Sequence, residues 1–125
     1  MAALATQTGR VYESMFDAAF RLGGYSTSRQ TLLERDGVRT AVSLKWQQGK
    51  GSAEDKVPWE VICLVKAIRE GAVERAYIVI GGNGWRAKRK AFYTSGGLTA
   101  CISGCERVTV CGFEDFVALA NNGRL

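Results

Sequence analysis

Gln30-Thr-Leu-Leu-Glu-Arg35-Asp36-Gly37-Val38-Arg-Thr-Ala-Val42-Ser43-Leu44-Lys45-Trp46 is the stretch whose reading decides the fold. Two β-rich runs, residues 30–35 and 38–46, flank Asp36-Gly37, a dipeptide that accepts the positive φ angles of a two-residue hairpin turn. Such a turn pairs Arg35 with Val38, and counting outward sets Gln30 opposite Ser43. Strand periodicity puts Ser43 and Lys45 on one face and Val42 and Leu44 on the other. Gln30, Ser43 and Lys45 therefore share a face. A lysine in mid-strand beside small polar groups is unusual where core residues belong.

Downstream of this hairpin, Gly49–Ala53 reads as a loop and Asp55–Arg69 as a helix, with Asp55 as its cap and Pro58 in its first turn. The apolar stripe is Val57, Val61, Leu64, Val65 and Ile68, and Glu60 lies on or beside it. A carboxylate there needs a partner, because burying an unpaired charge is costly. Lys45 and a divalent cation are the two candidates, and a plain strand–helix ion pair satisfies the same geometry. Upstream, Thr8–Leu22 carries Val11, Met15, Ala18, Ala19 and Leu22 on one helical face and stops at Gly23-Gly24.

Further along, Ala76–Ile80 is an almost wholly apolar run of the kind buried on both faces of a sheet, and Gly81-Gly82-Asn83-Gly84 ends it. Arg107–Cys111 reads as a strand and Phe113–Asn121 as a closing helix. The resulting order is an α-β-β-α-β core, then a basic segment, a strand and a helix. That is an α/β chain with a mixed β-sheet flanked by helices. No internal repeat or linker interrupts it, so residues 1–125 are expected to form a single domain.

Composition narrows the chemistry. The 125 residues are 46% hydrophobic and 23% charged, which is the balance of a globular chain. Seventeen Lys and Arg against twelve Asp and Glu leave a net charge of +5, which favours a polyanionic partner. No apolar run approaches the ~18–20 residues of a membrane span, and the opening residues are too short and uncharged for a signal peptide, so a cytoplasmic setting is expected. The sequence contains no histidine. Ser-His-Asp and Cys-His hydrolases and most catalytic zinc sites are thereby excluded, and carboxylates and lysines are left to do any chemistry.

The run Val42-Ser43-Leu44-Lys45-Trp46-Gln-Gln, with Gly51-Ser-Ala-Glu-Asp-Lys-Val-Pro-Trp-Glu60-Val after it, resembles the catalytic core of the PD-(D/E)XK nuclease superfamily. This is the restriction-endonuclease-like fold, which includes small restriction-type and homing endonucleases. The resemblance spans most of residues 8–122. It implies a metal-dependent endonuclease that hydrolyses phosphodiester bonds of double-stranded DNA with Mg²⁺, or Mn²⁺ in its place. Lys45 matches the family lysine, and Glu13 matches the acid on the first helix.

Two positions depart from the family pattern. Ser43 stands where Glu or Gln is usual, and Glu60, with fourteen residues between it and Lys45, suits an acid that has migrated to the following helix. Gln30 stands in the Asp position, where an amide oxygen brings no charge to a Mg²⁺ site. Asp36 lies in the turn, and Glu34 is about four residues (~13 Å) further along the strand, so neither replaces the missing acid well. The resemblance thus implies metal held by Glu60, Gln30 and the backbone at Leu44, with cleavage impaired at position 30. The alternative is a non-catalytic DNA-binding subunit that keeps the fold. Cutting both strands needs two active sites, so a homodimer or larger symmetric oligomer is expected.

A second signal lies in Trp85-Arg86-Ala-Lys88-Arg89-Lys90-Ala-Phe92-Tyr93. Four cations in five residues, Arg86, Lys88, Arg89 and Lys90, flanked by aromatics, read as a DNA phosphate contact or as a solvated face. Cys101, Cys105 and Cys111 do not have the spacing of a zinc knuckle, and the three glycines near position 82 do not complete a dinucleotide fingerprint.

Overall fold

A computed structural model describes residues 15–27 and 32–125. Its elements are helix α1 (helical over 15–22), β1 (Ser26–Thr27), β2 (Leu32–Arg35), β3 (Val38–Trp46), α2 (Ala53–Arg69), β4 (Arg75–Gly81), α3 (Ala87–Thr94), α4 (Gly97–Cys101), β5 (Val108–Gly112) and α5 (Phe113–Asn121). The α/β reading holds: helices flank both faces of a mixed five-stranded sheet ordered β1-β2-β3-β4-β5.

The hairpin forms as the Asp36-Gly37 pair dictates. Both residues have positive φ, 54° and 79°, which matches the twist of the strands they join. Arg35 pairs with Val38, and the antiparallel register continues to Leu32 opposite Ala41. Gln30 and Glu13 lie outside the described residues.

From β3 onward the sheet is parallel. β3 pairs with β4 and β4 with β5, with Lys45 beside Ile80 and Ile80 beside Gly112. Parallel neighbours need crossovers, which α2 and the α3–α4 pair supply. These helices share one core with Ala76, Ile78 and Ile80 of β4. On the other face, Phe16, Phe20 and Phe116 of α1 and α5 pack with Val42, Tyr77 and Val79. Being covered on both sides, β4 is buried almost throughout, as its unbroken apolar run requires.

The basic stretch after β4, whose structure the sequence leaves open, is helical from Ala87. One boundary differs from the sequence reading. Helix α2 starts at Ala53, two residues before Asp55, with Ser52 rather than Asp55 at its cap position. Pro58 is thereby moved out of the first turn. A proline there has no N–H for the Glu54 carbonyl, and the Tyr93 hydroxyl donates to that carbonyl instead, at 2.7 Å.

Candidate active site

Ser43 and Lys45 project from β3 toward the face that α2 covers, whereas Val42 and Leu44 join the opposite core. On the α2 face, Ile78 and Ile80 of the neighbouring strand are fully buried, but Ser43 and Lys45 are only half-buried. The end of β3 is thus where the polar residues of this layer reach solvent. Glu60, one flank round α2 from the apolar stripe, meets Lys45 there: Lys45 Nζ donates to Glu60 Oε1 at 3.3 Å. The side chains are 20% and 28% exposed, so the pair is open on one side.

This contact leaves most of the hydrogen-bonding capacity of both groups unused. Among the described residues, Lys45 donates to Glu60 alone and Glu60 accepts from Lys45 alone, whereas an ammonium carries three donors and a carboxylate about four acceptor positions. A half-open lysine–carboxylate pair at the carboxyl end of a parallel strand can orient water and receive a phosphate, chemistry that a saturated ion pair could not do.

A hard cation such as Mg²⁺ needs oxygen ligands, and Glu60 is one of suitable type. Among the described residues no three His, Cys, Asp or Glu side chains converge to hold a metal ion. Gln30 and Glu13, the further oxygens that the family resemblance implies, lie outside the described residues. Leu44 has only its backbone carbonyl to offer, because its side chain is a hydrocarbon.

Beside this pair lies a polar cluster that the sequence reading missed. Gln47 and Glu54 are both buried. Gln47 Oε1 accepts the Glu54 N–H at 2.9 Å, so the side chain from the end of β3 caps α2 in place of Ser52. Gln47 Nε2 donates to the Gly84 carbonyl at 2.7 Å and to Glu54 Oε1 at 3.4 Å. The glycine turn packs directly on this segment. A Cβ at Gly82 would lie 2.1 Å from the Gln47 carbonyl oxygen, and one at Gly84 would lie 2.0 Å from that of Gly49. These glycines serve close backbone approach. Two signals could have found the cluster: Gln47 continues the Ser43, Lys45 alternation, and Glu54 extends the Val57, Val61 stripe back by one turn.

The four cations of the basic segment are not equivalent. The Arg86 guanidinium lies 3.6 Å from Glu54 Oε1 and that of Arg89 lies 3.9 Å from Glu54 Oε2. Arg89 also hydrogen-bonds Asp55. Lys88 and Lys90 are exposed. The flanking aromatics divide likewise: Trp85 and Tyr93 are core residues, the Trp85 indole N–H donating to the Gly81 carbonyl at 2.7 Å, and Phe92 is exposed. Half the positive charge is therefore offset by the first turn of α2, and Lys88 and Lys90 carry the free remainder.

A hollow of about 430 Å³ lies elsewhere, lined by Val38, Glu74, Arg75, Tyr77, Glu106, Arg107 and Thr109 at the other end of the parallel strands. The Lys45–Glu60 pair lies outside this hollow, at the exit end of β3. No described helix is long and apolar enough to cross a membrane. The family model described as PD-(D/E)XK nuclease superfamily domain matches residues 31–124. No curated protein and no solved structure matches the chain.

Proposed function

The chain belongs to the PD-(D/E)XK nuclease superfamily, and from that premise we propose that it is a metal-dependent DNA endonuclease with its active centre at Lys45 and Glu60. The observation that carries the reading is the 3.3 Å contact between these two side chains, half-open and without another hydrogen-bond partner among the described residues, at the end of β3. Mg²⁺, or Mn²⁺ in its place, would be held by Glu60, the Leu44 carbonyl and the side chain at position 30, with Glu13 assisting. When bound, the ion would polarise the scissile phosphate and acidify an attacking water.

The protein's own residues do the rest. Lys45 orients the water through its free donors and offsets negative charge as it builds on the phosphate. Ser43, two residues back on the same face, supplies a hydroxyl within the cleft. Lys88 and Lys90 grip the backbone away from the scissile bond, with Arg86 and Arg89 contributing less. Two copies of the chain cut the two strands of the duplex.

One observation favours a second reading. Gln30 brings no charge to the position that the family fills with an acid, as expected of a DNA-binding subunit without cleavage activity. Nicking of supercoiled plasmid with Mg²⁺ and with EDTA, beside equilibrium DNA binding, tests the two. Mg²⁺-dependent nicking supports the endonuclease. Binding without nicking, in the parent and in Gln30→Asp alike, supports the binding subunit.

A further inference from the structure

The apolar stripe of α2 faces the core, and Lys56, Trp59, Ile62, Cys63, Lys66 and Glu70 occupy the opposite side, open to water. Trp59 is 67% exposed and Ile62 45%, and Cys63 beside them is exposed as well. Large apolar side chains left within one turn of each other form a patch, and a patch of this kind marks a contact surface. Charged residues bound it at both ends. Lys56 stands one turn before Trp59, and Lys66 and Glu70, 3.7 Å apart, stand beyond Cys63. An apolar centre with a charged rim is the anatomy of a protein–protein contact.

The order of the charges identifies the partner. Lys56 lies seven residues before Cys63 and Glu70 seven residues after it, about two helical turns in each direction. A second copy of α2 laid antiparallel, with the two-fold axis at Cys63, sets Lys56 opposite the partner's Glu70 and Glu70 opposite the partner's Lys56. The same placement brings Trp59 against the partner's Lys66, an ammonium over an indole face. Ile62 and Cys63 meet their own copies at the centre. A parallel copy would instead oppose like charges, Lys56 to the partner's Lys56 and Glu70 to the partner's Glu70.

We propose that the outer face of α2 is a homodimer interface, an antiparallel helix pair centred on Cys63 with Trp59 and Ile62 as its apolar core. The two-fold axis is perpendicular to both helices, so each flank of one α2 meets the same flank of the other. Glu60 lies about a quarter-turn round the helix from the middle of this face. The two Lys45–Glu60 pairs therefore open on one side of the dimer, where a single duplex can meet both. That consequence rests on the nuclease reading of Lys45 and Glu60; the interface itself does not.

The test uses the full chain. A contact made by one helix is small, so the dimer should be weak and sedimentation should show self-association rising with protein concentration. Trp59→Ala should weaken it by about thirtyfold or more, the loss expected of a central aromatic anchor. A short bismaleimide should link copies of the parent and of Cys101→Ser, and should fail to link Cys63→Ser. The charges give the sharper arm. Lys56→Glu alone and Glu70→Lys alone each create two like-charge pairs and should weaken self-association about tenfold. An equimolar mixture of the two should recover the parent's affinity, because both unlike pairs re-form in the mixed dimer. In the Gln30→Asp background, the chain with Trp59 intact should linearise plasmid at concentrations where Trp59→Ala only nicks it.

A chain that stays monomeric across the series overturns the proposal and leaves the face to a different partner. A dimer that survives Trp59→Ala, linking that persists in Cys63→Ser, or a mixture no tighter than either charge variant overturns it too. Equal linearisation with and without Trp59 would overturn the shared side of the two active centres. Absence of nicking in every variant alike would instead overturn the nuclease reading and leave the interface measurements standing.

Discussion

The two ends of the β3–β4 pair each carry an ion pair, and they are built to opposite plans. At the entry of β4, Glu74 is saturated. It accepts the Arg39 backbone N–H at 2.6 Å, Arg39 Nε at 3.1 Å and Arg39 Nη2 at 2.6 Å. Arg39 Nη2 also reaches the Gly71 carbonyl, and the Glu74 N–H returns a bond to the Arg39 carbonyl. These bonds pull the Glu74 carboxyl down to about 2. At the exit of β3, Glu60 has a single bond from Lys45 among the described residues. A pair tied by three bonds to one carboxylate fixes two chain segments in register and leaves little capacity for a ligand. A pair with most of its capacity free can take a substrate. The 430 Å³ hollow lies at the end of Arg39 and Glu74.

The comparison can be sharpened first at position 30, where the largest effect is expected. Gln30→Asp supplies the carboxylate that the family carries at this position. It should raise Mg²⁺-dependent nicking on the order of a hundredfold or more, since a metal site can supply several kcal/mol of charge stabilisation. An unchanged rate would remove position 30 from the ligand set.

Next comes the junction that holds the open end in place. Gln47→Ala leaves the buried Glu54 N–H and Gly84 carbonyl without their partner and should cost about 1–3 kcal/mol. Tyr93→Phe, which strips one bond from the carbonyl orphaned by Pro58, should cost about 1 kcal/mol. Urea midpoints with unchanged m-values measure both. If Gln47→Ala were neutral, the cluster would not be what docks α2 onto β3.

A smaller effect separates the cations. Lys88→Ala with Lys90→Ala should flatten the slope of log K against log salt by about 1.8, two contacts at about 0.9 each. Arg86→Ala with Arg89→Ala should change the slope less and lower stability more, because it leaves Glu54 buried beside no cation. Equal slopes for the two double variants would mean that the α2 carboxylates do not offset the arginines.

The smallest effect belongs to the saturated end. The Glu74 carboxyl is depressed from about 4.5 to about 2, so the stability it contributes is fully present above pH 4.5 and is lost as pH falls toward 2. Glu74→Gln should therefore lower the neutral plateau and flatten the acid limb between those values, so that variant and parent converge near pH 2. An acid limb identical to the parent's would contradict the saturated assignment.

Much of this contrast was legible in the sequence, and the part that was not has a physical reason. The hairpin register followed from Asp36-Gly37 because a two-residue turn fixes its neighbours locally. The meeting of Lys45 and Glu60 followed from two periods, 2 along the strand and 3.6 along the helix, once the two elements were known to pack. The start of α2 was missed because its cap comes from Gln47, which belongs to another element, so no local rule signals it. The same holds for Arg39 with Glu74, thirty-five residues apart. The basic segment looked uniform because its offsetting acids, Glu54 and Asp55, lie more than thirty residues upstream. Local chemistry is written in the order of residues; the saturation of a charged pair is decided by tertiary neighbours.

The central claim is that catalysis resides at Lys45 and Glu60, and not at Arg39 and Glu74. The most direct measurement compares Mg²⁺-dependent plasmid nicking by Lys45→Ala and Arg39→Ala, each at matched folded fraction and in the Gln30→Asp background where the parent rate is too low to follow. Lys45→Ala should lose about 10²–10³-fold of the rate, the loss typical of one charge-stabilising group, and keep its melting temperature within a few degrees. Arg39→Ala should do the reverse, melting lower while nicking at the parent rate. Nicking that survives Lys45→Ala and collapses in folded Arg39→Ala would place the chemistry at the other end of the sheet and contradict the account.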